Sequence, residues 1–141
     1  MKVFVLCVFM VLAVGCARMA GPGSPEPPTL LAGGPVQLTV STGEEITNPS
    51  DKQLRRALSA LDVERDGEGF AILARSNMTY LQISGDREIG FDMEFQEADV
   101  DHHYRAQRTN IPLDEVVGDL AAYRDGELGW WRSKQWDHYT W

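Results

Sequence analysis

Asp92 and Glu94 lie two apart in Phe91-Asp92-Met93-Glu94-Phe95. Strand side chains two apart share a face, so this pair could serve as general acid and base or as contacts for a cationic partner. Acid/base work needs a pocket that drives two pKa values apart, whereas a charged row on a strand is also what any water-facing sheet carries. Partner contact is the reading adopted for them. The neighbouring run Glu97-Ala98-Asp99-Val100-Asp101-His102-His103 has metal-ligand residue types. Its spacing is wrong for an ion, because adjacent His102 and His103 on a strand point to opposite faces and the Gly and distal Glu of a calcium loop are missing. No Gly-rich phosphate loop, GxSxG or HExxH occurs in the chain. The residues predict no catalytic set, no metal and no cofactor.

These carboxylates must be carried by a sheet. Phe91, Met93 and Phe95 fall on one strand face and Asp92 and Glu94 on the other, which predicts a sheet dry on one side and wet on the other. Residues 70–74, 78–84 and 91–96 read as successive strands, the first an unbroken apolar run of the inner type. Residues 102–106 read as a weaker strand at an edge. Residues 35–42 read as a short strand, with Pro35 suiting a second edge. Ser50 with Gln53 forms a capping box, and Leu54, Ala57, Leu58 and Leu61 recur at helical spacing. A second helix is predicted from Pro112, with Leu113, Val116, Val117 and Leu120 on one face and Gly126 at its stop. The expected fold is α+β: an antiparallel sheet of four to five strands with two helices packed on one face.

With 13 basic and 21 acidic side chains the net charge is −8, which argues against nucleic-acid binding and suits a solvated surface first, or steering toward a basic partner. Residues 1–15 read as an export leader: Lys2, an apolar run from Val3 to Val14, then Gly15. Leu12-Ala13-Val14-Gly15-Cys16 resembles the bacterial lipobox, which would lipidate Cys16 and hold the chain at the membrane of the cell envelope. An ordinary leader cut after Ala17 is the lesser alternative, since Gly15 and Ala17 supply its small-x-small pattern. Residues 16–35 carry five of the seven prolines and read as a mobile tether, leaving 36–141 as one domain. The C-terminal stretch holds Trp130, Trp131, Trp136 and Trp141. At least two are expected in the core, with Trp136 or Trp141 exposed near the chain end as a contact.

Several stretches together resemble one family. They are Ile46-Thr47-Asn48-Pro49-Ser50, Ala60-Leu61-Asp62, Phe70-Ala71-Ile72-Leu73, Tyr80-Leu81-Gln82 and Phe91 to Phe95. Tyr104-Arg105, Leu113 to Val117, Ala122-Tyr123, Asp125-Gly126, Trp131 and Trp136-Asp137 extend the match. Over about 46–137 this pattern is similar to the Imm1-type immunity proteins of bacterial polymorphic toxin systems. The resemblance implies a small α+β inhibitor, itself without activity, that binds a cognate protein toxin. With an export leader, that toxin would be met in the envelope. The expected contacts are Asp92, Glu94 and Glu97 against a basic surface, with Trp136 as an apolar anchor. Two other readings stand beside it. One is an envelope lipoprotein with a structural or general binding role and no toxin partner. The other is a small hydrolase using Asp92, Glu94, Asp101 or His102, which would require a pocket drawing those groups together.

Overall fold

The computed structural model describes residues 25–29, 34–67 and 69–139. The leader, the Cys16 lipidation site, most of the tether and Trp141 lie outside the described residues.

Alternation sets the central strands. β1 (Gln37–Val40) and β2 (Glu45–Thr47) form the first hairpin, and β3 (Phe70–Ser76), β4 (Thr79–Asp86) and β5 (Gly90–Gln96) make the middle of the sheet. Leu81 stands opposite Phe95, and Ile83 opposite Met93, so their side chains enter one dry layer. β6 (His103–Ala106) and β7 (Trp136–His138) complete a seven-stranded sheet in the order β2-β1-β3-β4-β5-β6-β7, every neighbour antiparallel. The expectation of four to five strands falls short, and neither β1 nor β6 is an edge: β2 and β7 lie outside them. Each of those outer strands is three residues long, too short for alternation to register.

Four helices are present among the described residues: α1 (Asp51–Ser59), α2 (Val63–Asp66), α3 (Leu113–Asp125) and α4 (Gly129–Arg132). The two not foreseen, α2 and α4, are single turns. The capping box at α1 forms as read: the Gln53 N–H donates to Ser50 Oγ at 3.3 Å, and the Ser50 N–H donates to Gln53 Oε1 at 2.9 Å. Pro112 stands one residue before α3, as its N-cap, and Gly126 ends it with φ of 77°, a left-handed conformation that glycine adopts without strain. The Arg75 guanidinium reaches from β3 to donate to the carbonyls of Tyr123 and Arg124 at 2.6 and 3.1 Å, placing a cation at the negative end of α3. Arg124 pairs with Asp51 at 2.8 Å and Arg55 with Asp114 at 2.6 Å, so α1 and α3 run antiparallel.

Leu54, Ala57 and Leu58 of α1 and Val116, Val117, Leu120 and Tyr123 of α3 join the dry sheet face in one core. Its C-terminal half is aromatic. Phe95 meets Tyr104, Tyr123, Trp130 and Trp131 with ring centroids 5.0 to 6.4 Å apart, and Trp131 stacks on Trp136 at 4.7 Å. Trp136 is therefore not an exposed anchor. It is 5 % exposed and its indole N–H donates to the Trp131 carbonyl at 2.9 Å, because β7 docks on β6 and turns the ring inward. Within the stretch read as tether, Pro28 is buried and the Thr29 N–H donates to Glu97 Oε1 at 2.9 Å, so residues 25–29 lie against the domain.

Candidate functional site: the open face of the sheet

α1, α3 and α4 pack their buried residues against one side of the sheet, and the residues between the core positions line the other. Strand register arranges them in rows. One row runs Phe70, Ser84, Asp92 across β3, β4 and β5. The next runs Thr39, Ile72, Gln82, Glu94, Arg105, Asp137 from β1 to β7. The third runs Ala74, Tyr80, Gln96, His103. Each passes from an apolar residue on β3 to polar or charged groups on β5 and beyond. The apolar run of β3 is thus divided: Ala71 and Leu73 are core, while Phe70, Ile72 and Ala74 are half-buried on the open face.

Asp92 and Glu94 share this face, as their spacing requires. Both address Arg105, whose Nη2 lies 3.4 Å from Asp92 Oδ2 and whose Nε lies 3.7 Å from Glu94 Oε1. These are long, partly exposed contacts worth under about 1 kcal/mol each. They offset the negative charge of the face without cancelling it. Glu94 Oε2 also lies 3.3 Å from Nε2 of His103, which is 2 % exposed although it points to the open side. Tyr139 packs near that ring at 5.7 Å between centroids. The Tyr80 hydroxyl donates to Gln96 Oε1 at 3.2 Å, and burial, with the Glu94 charge adding to it, raises the phenol's pKa.

The other expected site residues stand apart. Glu97 is half-buried, tied to Thr29 as described. His102 lies in the turn before β6, its Nδ1 2.7 Å from Asp99 Oδ1; that hydrogen bond and the opposed charges raise the imidazole and lower the carboxyl. His102 and His103 diverge, as adjacent residues entering a strand do. Among the described residues no three His, Cys, Asp or Glu side chains converge as a metal site would need. Asp101 and His102 sit in this turn, whereas Asp92 and Glu94 sit on the sheet, and the cleft that takes in Asp92 reaches neither Asp101 nor His102.

One end of the open face is hollow. At Gly69, Gly85 and Gly90 the strands close backbone to backbone: a Cβ on Gly69 would lie 2.6 Å from the Gly85 carbonyl oxygen, and one on Gly85 would lie 2.3 Å from that of Gly90. Gly85 and Gly90 also hold φ of 121° and 85°, which side-chain-bearing residues rarely adopt. The result is a cleft of about 380 Å³ with Val63, Phe70 and Ile89 as apolar walls and Gln82, Ser84, Asp92 and Asn110 as polar ones. Asp86 braces the walls. Its carboxylate accepts from the N–H groups of Glu88 and Ile89 at 2.8 and 3.0 Å and from Val63 at 3.2 Å, and these bonds lower its pKa. Ile89 itself is 56 % exposed.

No family model, no curated protein and no solved structure matches the chain.

The functional reading thus rests on the open face. Alternation located Asp92 and Glu94 but missed Arg105, which a weak four-residue strand places beside them, and it missed the cleft. The cleft arises where Gly69, Gly85 and Gly90 approach one another, which strand pairing sets.

Proposed function

We propose that this chain is a non-catalytic binding protein that neutralises a cognate bacterial toxin at the cell envelope, held there by a lipid on Cys16. The carrying observation is the open face. Among the described residues, no second layer covers one side of the seven-stranded sheet, and that side grades from Phe70 and Ile72 to Asp92 and Glu94. Such a surface offers apolar area to drive association and negative charge to steer a basic partner onto it. Charged side chains held by long contacts can exchange Arg105 for a partner cation at small cost. The net charge of −8 works in the same direction at longer range. Trp136, buried in the aromatic cluster, drops out of the contact set; Asp92 and Glu94 remain, with Ile89 as an exposed apolar residue beside them.

The test is recovery of a partner with the tagged, membrane-extracted chain, for wild type and Cys16→Ser. The reading expects a stoichiometric basic protein on both, with only the wild type requiring detergent. A chain that retains no partner in either form would leave an envelope lipoprotein without a toxin, and a Cys16→Ser chain that still fractionates with membranes would remove the lipid.

A further inference from the structure

The cleft at the glycine end of the open face has a shape and polarity that specify more than general stickiness. Its floor is backbone, because no side chain fits where Gly69, Gly85 and Gly90 meet. Its walls are the apolar Val63, Phe70 and Ile89, and its polar rim is rich in acceptors: the Asp92 carboxylate, the Ser84 hydroxyl and the Gln82 and Asn110 amides. The Asp92 carboxylate is incompletely used. Its partner is Arg105 Nη2 at 3.4 Å, and among the described residues no other donor reaches it. A carboxylate at one end of an apolar slot fits a side chain with an aliphatic stem and a cationic, donor-only head. Arg meets that description better than Lys, since its planar fork can address Asp92 with two donors and keep others for Ser84 or Gln82.

We infer that this cleft is the receptor for an arginine side chain of the basic protein partner, the stem lying between Phe70 and Ile89 and the guanidinium meeting Asp92. The inference rests on the binding-protein reading above and names its anchor. An arginine seated in a shallow cleft between apolar walls can act as an interface anchor, with the flat rows of Gln82, Glu94 and Arg105 as its rim. The cleft walls are held from beneath by Asp86, whose three backbone hydrogen bonds fix the Val63 and Ile89 segments relative to one another. The slot is therefore present before a partner arrives, which lowers the ordering cost of binding.

The probe is N-acetyl-arginine amide, titrated into the full ¹⁵N-labelled chain in detergent, with N-acetyl-citrulline amide as its neutral isostere. Shifts should concentrate at the amides of Gly69, Gly85, Ile89 and Gly90, and the citrulline compound should bind about tenfold more weakly. Asp92→Asn should bring arginine down to the citrulline level, and Ser84→Tyr, which fills the slot while keeping a residue suited to a strand, should abolish the shifts in both. Shifts spread over the acidic surface, equal binding of the two compounds, or arginine binding unaffected by Ser84→Tyr would overturn the assignment. The two readings fail separately. Arginine seated in the cleft of a chain that captures no partner keeps the receptor and removes the toxin. A captured partner whose affinity ignores Ser84→Tyr keeps the toxin and removes the receptor.

Discussion

The two faces of β3, β4 and β5 are built from alternate residues of the same strands and differ in how completely their groups are satisfied. On the dry side Leu73, Leu81, Ile83, Phe91, Met93 and Phe95 are fully buried. On the open side Gln96 and His103 are buried at one end, but Ile72, Gln82, Asp92 and Glu94 are only half-buried, and a cleft lies at the other end. Ion pairs follow the same division. Lys134, with its side chain 2 % exposed, lies 2.5 Å from Asp119 and 3.4 Å from Glu115 beneath α3. Arg105 lies 3.4 Å from Asp92 and 3.7 Å from Glu94, in partial contact with water. The buried cluster spends its charges inside the fold, while the open one keeps them available. A tightly packed, water-free layer stabilises; a layer whose charges stay in partial contact with water is suited to a partner.

Breaking the matched layer should cost most. Phe95→Ala removes the ring on which four other aromatics converge and should lower unfolding free energy by about 3 to 5 kcal/mol in denaturant titration. A loss under about 1 kcal/mol would mean that the cluster is loosely packed.

Lys134→Met should follow, at about 3 kcal/mol near neutral pH, because it strands Asp119 without its cation. The sign of the pH dependence is set by Asp119, whose pKa is already raised by burial and only partly drawn back by Lys134. A carboxyl with a raised folded pKa favours the fold when protonated and opposes it as pH rises from the unfolded value through the folded one. The variant's deficit should therefore shrink as the pH falls and Asp119 takes up its proton, and a deficit that grows on acidification would contradict the assignment.

Asp86→Ala should act through the cleft walls. The lowered Asp86 pKa means that its contribution is present above the unfolded carboxylate range and disappears as pH falls through the folded value. The melting temperatures of variant and wild type should differ at pH 7 and converge in acid. Smallest should be Arg105→Ala, which removes an exposed cation held by long contacts and should change stability by under about 1 kcal/mol. A cost matching that of Lys134→Met would erase the distinction between the two ionic clusters.

The dry face was legible in the sequence because each of its elements is long enough to show a period. Alternation over 91–96 placed Phe91, Met93 and Phe95, and the capping box with Leu54, Ala57 and Leu58 placed α1. Elements of three or four residues, β2, β7, α2 and α4, carry no period and exist because longer neighbours offer them partners. Trp136 shows the limit most clearly. Proximity to the chain end argued for exposure, but pairing of Trp136 with Ala106 across β6 and β7 turns the indole onto Trp131. On the open face, Asp92 and Glu94 followed from spacing alone. Arg105 beside them and the slot between Phe70 and Ile89 are products of register, which the strand patterns did not specify.

The central claim is that the open face, and not the packed one, receives a basic partner. The most direct measurement is the association rate of the partner recovered with this chain, taken across a salt series for wild type and for Asp92→Lys/Glu94→Lys. The account predicts association slower by about tenfold at low ionic strength and a flatter salt dependence, with the melting temperature nearly unchanged. Rates and salt slope indistinguishable from wild type would contradict it.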